Sequence, residues 1–375
     1  MKRLGGLFFV FSLFLMMTTS FAHAQDDDLV DQTIFLTFIP NIQFAPVYAG
    51  IANSHFADNG INLDILHGDE PDGVNLVAAN ELQFGIFGGE QVILARANER
   101  PVVYVYEWFQ KFPNGIVTPV DSGIETVADL VGRKVGIPGR FGTSYSGLIA
   151  LLAANDLQES DIELEPIGFN ATEVVCVGGV EASMVFINNE PLQIEQRCTD
   201  VRVIRVSEFA DLVSNGLVTN EMTIAENPEL VQAMVNGFDA GLRDVINNPA
   251  EAYLLSADFV ENLPLDVHLR AALEEAAFEQ NEFLATNPDR NAIAASRVAM
   301  FDNLKAQFDG ETLLQFEVLL ASIDLWDAEQ LGATDIMSWQ ITQDTLIFMT
   351  FLDEPLPSLE AAFTNEFLLR DNGNP

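Results

Sequence analysis

The residues whose types and spacing point to chemistry lie where short apolar runs give way to amphipathic ones. The richest stretch is Gly136-Ile137-Pro138-Gly139-Arg140-Phe141-Gly142-Thr143-Ser144-Tyr145-Ser146-Gly147. It leaves a strand pattern, turns through glycines and enters a helical pattern. Glycine lets a backbone approach a ligand closely. The hydroxyls of Thr143 and Ser144, with the free amides of a helix start, form a donor set for an oxyanion or a carbonyl. Thr143 equally suits a plain N-cap. Phe141, Gly142, Thr143, Ser144 and Tyr145 are the candidate contacts here. The Gly-Lys-Ser/Thr ending of a phosphate loop is missing, so nucleotide hydrolysis is not indicated.

Four further stretches follow the same strand-to-helix grammar. In Pro40-Asn41-Ile42-Gln43-Phe44, Asn41 and Gln43 can donate to and accept from a polar ring edge, and Phe44 can stack. Asn41 also fits a helix N-cap. Glu90, behind Gly88 and Gly89, either complements a helix dipole or accepts from a ligand N–H. Tyr106-Glu107-Trp108-Phe109 carries enough rings to wall a flat ligand, with Trp108 the choice for the cleft. Asn188-Asn189-Glu190-Pro191 closes a strand, as a plain turn or with Asn188 and Glu190 facing a ligand. No Gly-x-Ser-x-Gly elbow orders a nucleophile, and no catalytic residue is expected. The paired acids Asp69-Glu70 and Glu274-Glu275 read as solvated surface. Four histidines and two cysteines without ligand spacing argue against a metal site. Cys176 and Cys198 either bridge, closing a loop of roughly 20 residues, or remain buried thiols.

The elements that must position these residues alternate. Thr33–Ile39, Ile61–Leu66, Phe84–Phe87 and Val102–Tyr106 read as strands separated by the helices Ala45–Phe56, Gly73–Ala79 and Gln91–Ala97. That rhythm predicts a mostly parallel sheet covered on both faces. A second unit follows, with strands at Lys134–Ile137, Ile162–Ile167, Ala182–Ile187 and Val201–Val206 and a helix over Thr143–Asn155. Phe112-Pro113-Asn114-Gly115 reads as a turn-rich crossing between units. A second crossing near Asp211–Asn220 brings a strand around Leu217-Val218-Thr219 back to the first. The expected division is 31–118 for lobe 1, 119–216 for lobe 2, and 217–375 for the lobe 1 return and a helical C-terminal region. The helices of that region are expected at Leu230–Ile246, Val267–Phe283, Ala292–Phe308 and Glu360–Leu369. A cleft between such lobes is lined by strand carboxyl ends, where open α/β sheets bind ligands.

Composition narrows the partners. With 17 basic and 56 acidic residues the net charge is -39, which repels polyanions, so nucleic acid is not expected as a partner. Lys2 and Arg3, the apolar run Leu4–Met17 and the small-x-small Ala22-His23-Ala24 have the layout of a secretory signal peptide over 1–24. The expectation is an exported chain, periplasmic or extracellular and soluble after cleavage.

Taken in order, these segments resemble the solute-binding proteins for sulfonates, nitrate or taurine and thiamine pyrimidine precursors. The resemblance rests on Pro40-Asn41, Asn59-Gly60-Ile61, Glu81-Leu82-Gln83-Phe84-Gly85-Ile86, Gly132–Gly139, Val180-Glu181-Ala182 and Thr364-Asn365-Glu366-Phe367-Leu368. It implies a two-lobed α/β fold of the periplasmic-binding type II class with a helical C-terminal extension. It also implies a receptor, with no turnover of its own, that hands a small molecule to an ABC permease; the chain is expected to be a monomer and to need no cofactor. Gln43–Tyr48 and Gly142–Tyr145 look more like the riboflavin branch. Phe38 and Phe44 stand where pyrimidine-binding members often carry Trp and His. The expected ligand is therefore an aromatic nitrogen heterocycle, riboflavin or a thiamine pyrimidine precursor. The alternative is an alkylsulfonate or taurine-type anion. An enzyme of pyrimidine synthesis is disfavoured, because the Cys-rich motif of that branch is absent.

Overall fold

The computed structural model describes residues 29–369. The expected signal peptide lies outside them. Among the described residues there are ten strands: β1 (Val30–Thr37), β2 (Ile61–Gly68), β3 (Phe84–Gly88), β4 (Val102–Glu107), β5 (Asn114–Pro119), β6 (Lys134–Ile137), β7 (Glu163–Pro166), β8 (Ala182–Phe186), β9 (Val201–Arg205) and β10 (Asn215–Asn220). They form two five-stranded sheets, ordered β2-β1-β3-β10-β4 and β7-β6-β8-β5-β9. β1 runs parallel to β2 and β3. β10 is the late return, inserted antiparallel between β3 and β4. Every residue of β3 is buried, as a central strand covered by helices on both faces requires.

The first crossing occupies 108–113, ahead of the boundary expected at 118. β5 pairs antiparallel with both β8 and β9, so it belongs to the second sheet. Asn114-Gly115 reads as a turn in sequence. In the fold, Gly115 is needed for close approach instead: a Cβ there would meet the Ile204 carbonyl oxygen at 2.8 Å and Ile187 at 2.7 Å. The second crossing spans 206–214 and delivers the chain to β10.

Three expected C-terminal helices form as Pro228–Asn247, Val267–Leu284 and Arg290–Lys305. Two others, Gly310–Trp326 and Ile336–Phe348, show no clear stripe in sequence because they touch both lobes. Phe316, Leu319 and Trp326 enter the first-lobe core, while Ser322 of the same helix accepts from Asn188 of the second lobe at 2.7 Å. Trp339 and Leu346 pack with the first sheet, and Ile341 packs on the second-lobe core. The helix expected over Glu360–Leu369 is only a 3-10 turn, Leu359–Ala362. Its backbone is recruited to a sheet edge: Phe363 bridges to Tyr104, and the Thr364 amide donates to the Tyr104 carbonyl.

Cys176 and Cys198 are bonded to each other. The bridge joins the ends of the helices Ala171–Cys176 and Glu190–Arg197, whose first residues both reach the cleft. A loop of this length is worth ~3 kcal/mol of stability.

Candidate functional site

A cavity of about 930 Å³, its mouth included, separates the two sheets. Its lining comes from strand ends: Thr37 and Phe38 at β1, Trp108 and Phe109 after β4, Pro138 after β6, Phe186 at β8.

The first-lobe wall is aromatic and pre-packed. Trp108 is 1 % exposed. Its ring lies 5.9 Å from Phe44, 4.9 Å from Phe109, 5.7 Å from Phe238 and 5.3 Å from Trp326. It is therefore core on one side and cavity wall on the other. Its Nε1–H has no partner, and neither has Oδ1 of Asn215, which starts β10 on the same cavity. Buried polar atoms are nearly always paired, so these two orphans mark places for ligand or water atoms. Gln43 and Phe44 line the wall from the 3-10 helix Ile42–Phe44. Asn41 does not reach the cavity. Its side chain caps that helix, accepting from the Gln43 amide at 3.0 Å.

The second-lobe wall is the glycine-hydroxyl loop. Phe141, Gly142, Thr143 and Ser144 all line the cavity. Gly142 has φ +70, a left-handed conformation that favours glycine. The Gly142–Ala153 helix that follows has no side-chain cap, so its first amides remain available as donors. Ser144 is held by Asn114 at the head of β5, whose side-chain amide donates to its hydroxyl at 3.0 Å. Tyr145 turns away: its hydroxyl meets Glu159 and its ring faces Phe351 at 5.5 Å. Arg140 pairs with Glu159 at 2.8 Å on the surface and stays out of the cavity.

Carboxyls stand on both walls. Glu190 lines the second-lobe side and accepts from the Phe186 amide at 3.0 Å and from Asn189 at 3.1 Å. Burial pushes its carboxyl up to about 7. Asn188 instead ties the second lobe to Ser322 and lies off the cavity. Glu70, expected at the surface, is 6 % exposed, lines the first-lobe side and accepts from the Gly88 amide at 2.7 Å. Glu90 is buried behind it and does not reach the cavity surface. Burial and the charge of Glu70 push the Glu90 carboxyl well up from its ordinary value. Among the described residues lining the cavity there is no Lys, Arg or His.

Glu70, Asn215 and Phe169 are not among the residues the sequence points to, and Phe38 enters there only as a family position and not as a cavity residue. Glu70 had a signal, since it too sits where a strand hands over to a helix. Phe38 and Phe169 meet edge to face at 4.9 Å across the cleft, a pairing visible only once both lobes are placed. Phe38 also carries φ 104, an uncommon conformation for a bulky residue.

Residues 41–252 match the model of the family described as NMT1/THI5 like. The chain belongs to this family. It is 30% identical over 90% of its length to the riboflavin-binding protein RibY of Chloroflexus aurantiacus, covering 85% of that protein. A 4-amino-5-hydroxymethyl-2-methylpyrimidine phosphate synthase of Legionella pneumophila is 26% identical over 60% of the chain and 72% of its own length. A formylaminopyrimidine-binding protein of Halalkalibacterium halodurans is 27% identical over 68% of the chain and 78% of its own length. Among solved structures, the ligand-binding component of an ABC-type import system from Staphylococcus aureus superposes with a TM-score of 0.60. It is 10% identical, over 90% of this chain and 97% of that one. The fold is thus of the two-lobed periplasmic-binding kind. Among the described residues no helix is long and apolar enough to cross a membrane.

Proposed function

We propose that this chain is the solute-binding component of an ABC importer and that its cleft captures a flat nitrogen heterocycle, riboflavin in the first place. The observation that carries the reading is the cavity's composition. Seven aromatic residues line it together with Glu70 and Glu190, and no basic side chain does. Aromatic faces suit a planar ring. A sulfonate in the same place would bury its charge beside two carboxyls without a cation, at the high cost of an unpaired buried charge. The similarity to RibY, extending over both lobes and the C-terminal helices, favours riboflavin. The pyrimidine-binding relative keeps a thiamine pyrimidine precursor as the second ligand of the same class.

In this reading the chain is exported by its N-terminal segment and works as a monomer. It passes ligand to a membrane permease without chemical turnover. The aromatic residues supply contact area. Trp108 Nε1–H and the start of the Gly142–Ala153 helix meet ring carbonyls, while Asn215, Glu70 and Glu190 accept from N–H groups.

Purified chain titrated with riboflavin, an aminopyrimidine and taurine in a calorimeter is the direct test. Riboflavin binding, with quenching of its fluorescence by the aromatic wall, is the expected result. Binding of taurine with no heterocycle bound would sink the reading.

A further inference from the structure

Glu70 stands where the two walls of the cleft meet. It opens the Glu70–Ala78 helix of the first lobe. One carboxylate oxygen takes the Gly88 amide at 2.7 Å. The other lies over Gly142 of the second lobe, so closely that a Cβ on Gly142 would come within 2.7 Å of it. Gly142 begins the helix whose uncapped first amides and whose Thr143 and Ser144 hydroxyls face the same cavity. A strong acceptor is thereby set directly beside a row of donors. Gly88 serves this arrangement twice: its amide orients Glu70, and its missing side chain leaves room for Glu90, whose Oε2 would lie 2.3 Å from a Cβ there. Trp108 and Asn215, which line the same cavity, each carry a buried polar atom without a partner, Nε1 and Oδ1.

An acceptor beside donors is complementary to a ligand edge that carries an N–H next to an acceptor atom. The imide edge of an isoalloxazine has that pattern. So does the edge of an aminopyrimidine formed by its amino group and adjacent ring nitrogen. A sulfonate oxygen would find repulsion at Glu70, and a plain aromatic hydrocarbon would leave the carboxyl unanswered.

We propose that Glu70 is a specificity-determining residue of the cleft, accepting a hydrogen bond from a ligand N–H while the start of the Gly142–Ala153 helix holds the acceptor atom beside it. The inference rests on the heterocycle reading above. An N-alkylated ligand cannot donate and sets a methyl against a buried carboxyl. Sites built to hydrogen-bond a polar group discriminate strongly against analogues that lack it.

The experiment compares the affinities of riboflavin and N3-methylriboflavin, and of an aminopyrimidine and its dimethylamino analogue, for the wild-type chain, Glu70→Ala and Glu70→Gln. The wild-type chain is expected to prefer the N–H form of its ligand by about tenfold, because the methylated form leaves a buried acceptor unsatisfied. Glu70→Ala brings the ratio close to one while both forms still bind. Glu70→Gln, which keeps a weaker oxygen acceptor, lowers the preference several-fold. It decides the matter if the alanine variant does not fold, an undiminished ratio then overturning the proposal. A wild-type chain that treats both forms alike also overturns it, as does a full preference in Glu70→Ala. Which pair shows the preference tells flavin from pyrimidine. Absence of binding by either parent heterocycle removes the functional reading itself, and the inference with it.

Discussion

The two walls of the cleft are built on different principles. The first-lobe wall is the inner surface of a core: Trp108 and Phe44 are held by rings and helices behind them whether or not a ligand is present. The second-lobe wall is a loop and a helix start, with small residues, hydroxyls and a backbone held in a left-handed turn at Gly142. One wall therefore offers area without direction, and the other direction with little area. Folding stability and ligand affinity should be coupled on the first wall and separable on the second.

The largest effect should come from Trp108→Ala. Large-to-small substitution of a fully buried ring costs about 3–5 kcal/mol of stability, so denaturant unfolding should show a large loss together with weakened ligand binding. Stability unchanged while binding falls would mean that Trp108 is wall only and not core.

A pH series sharpens the contrast further, because both walls carry buried carboxyls and the end of β4 carries a half-buried one. Glu190 is raised to about 7, and burial raises Glu70 as well. Glu107, at the end of β4, is raised to about 8 by burial and by the nearby charges of Asp211 and Asp335, with Thr334 opposing. In the unfolded chain these groups lose their protons near the ordinary glutamate value of about 4.3. Between there and about 8 the folded state holds more protons than the unfolded one. Stability should therefore fall as pH rises through that window, and be fully relieved of this penalty below it. Glu107→Gln should raise the melting temperature at pH 8 by the equivalent of roughly a few kcal/mol and leave it nearly unchanged at pH 4. An equal gain at both would assign the effect to packing.

Gly142→Ala addresses the second wall and, through Glu70, its contact with the first. Its left-handed φ costs an alanine roughly 1–2 kcal/mol, and the new Cβ would displace the Glu70 carboxyl. Ligand affinity should drop more than stability does, the reverse of Trp108→Ala. The smallest expected change is Thr143→Ala, where loss of one hydroxyl contact is worth about 0.5–1.5 kcal/mol of binding with the melting temperature of the free chain unmoved. Calorimetry and thermal unfolding of the same preparations measure both sides of each comparison.

Much of this arrangement was legible in sequence. Strand-to-helix handovers rich in Gly, Asn and hydroxyls pointed to Gln43, Phe44, Trp108, Phe141–Ser144 and Glu190, all of which the fold brings to one cavity. The same reasoning could not separate cavity residues from their supports. Asn41 became a cap, Asn188 a tie to Ser322, and Tyr145 a partner of Glu159.

By itself the sequence determined the alternation of strands and helices, the late return of the chain to the first sheet, and the chemical types available at strand ends. These follow from local periodicity and from backbone freedom at glycine. Only the tertiary structure decided that Asn114-Gly115 starts a strand, that two C-terminal helices bridge the lobes, and that Glu70 is buried against Gly142. Each of those depends on what another part of the chain places within a few ångströms. A strand partner, a second packed face and the loss of water around a carboxyl are properties of the neighbours, and local pattern does not carry them.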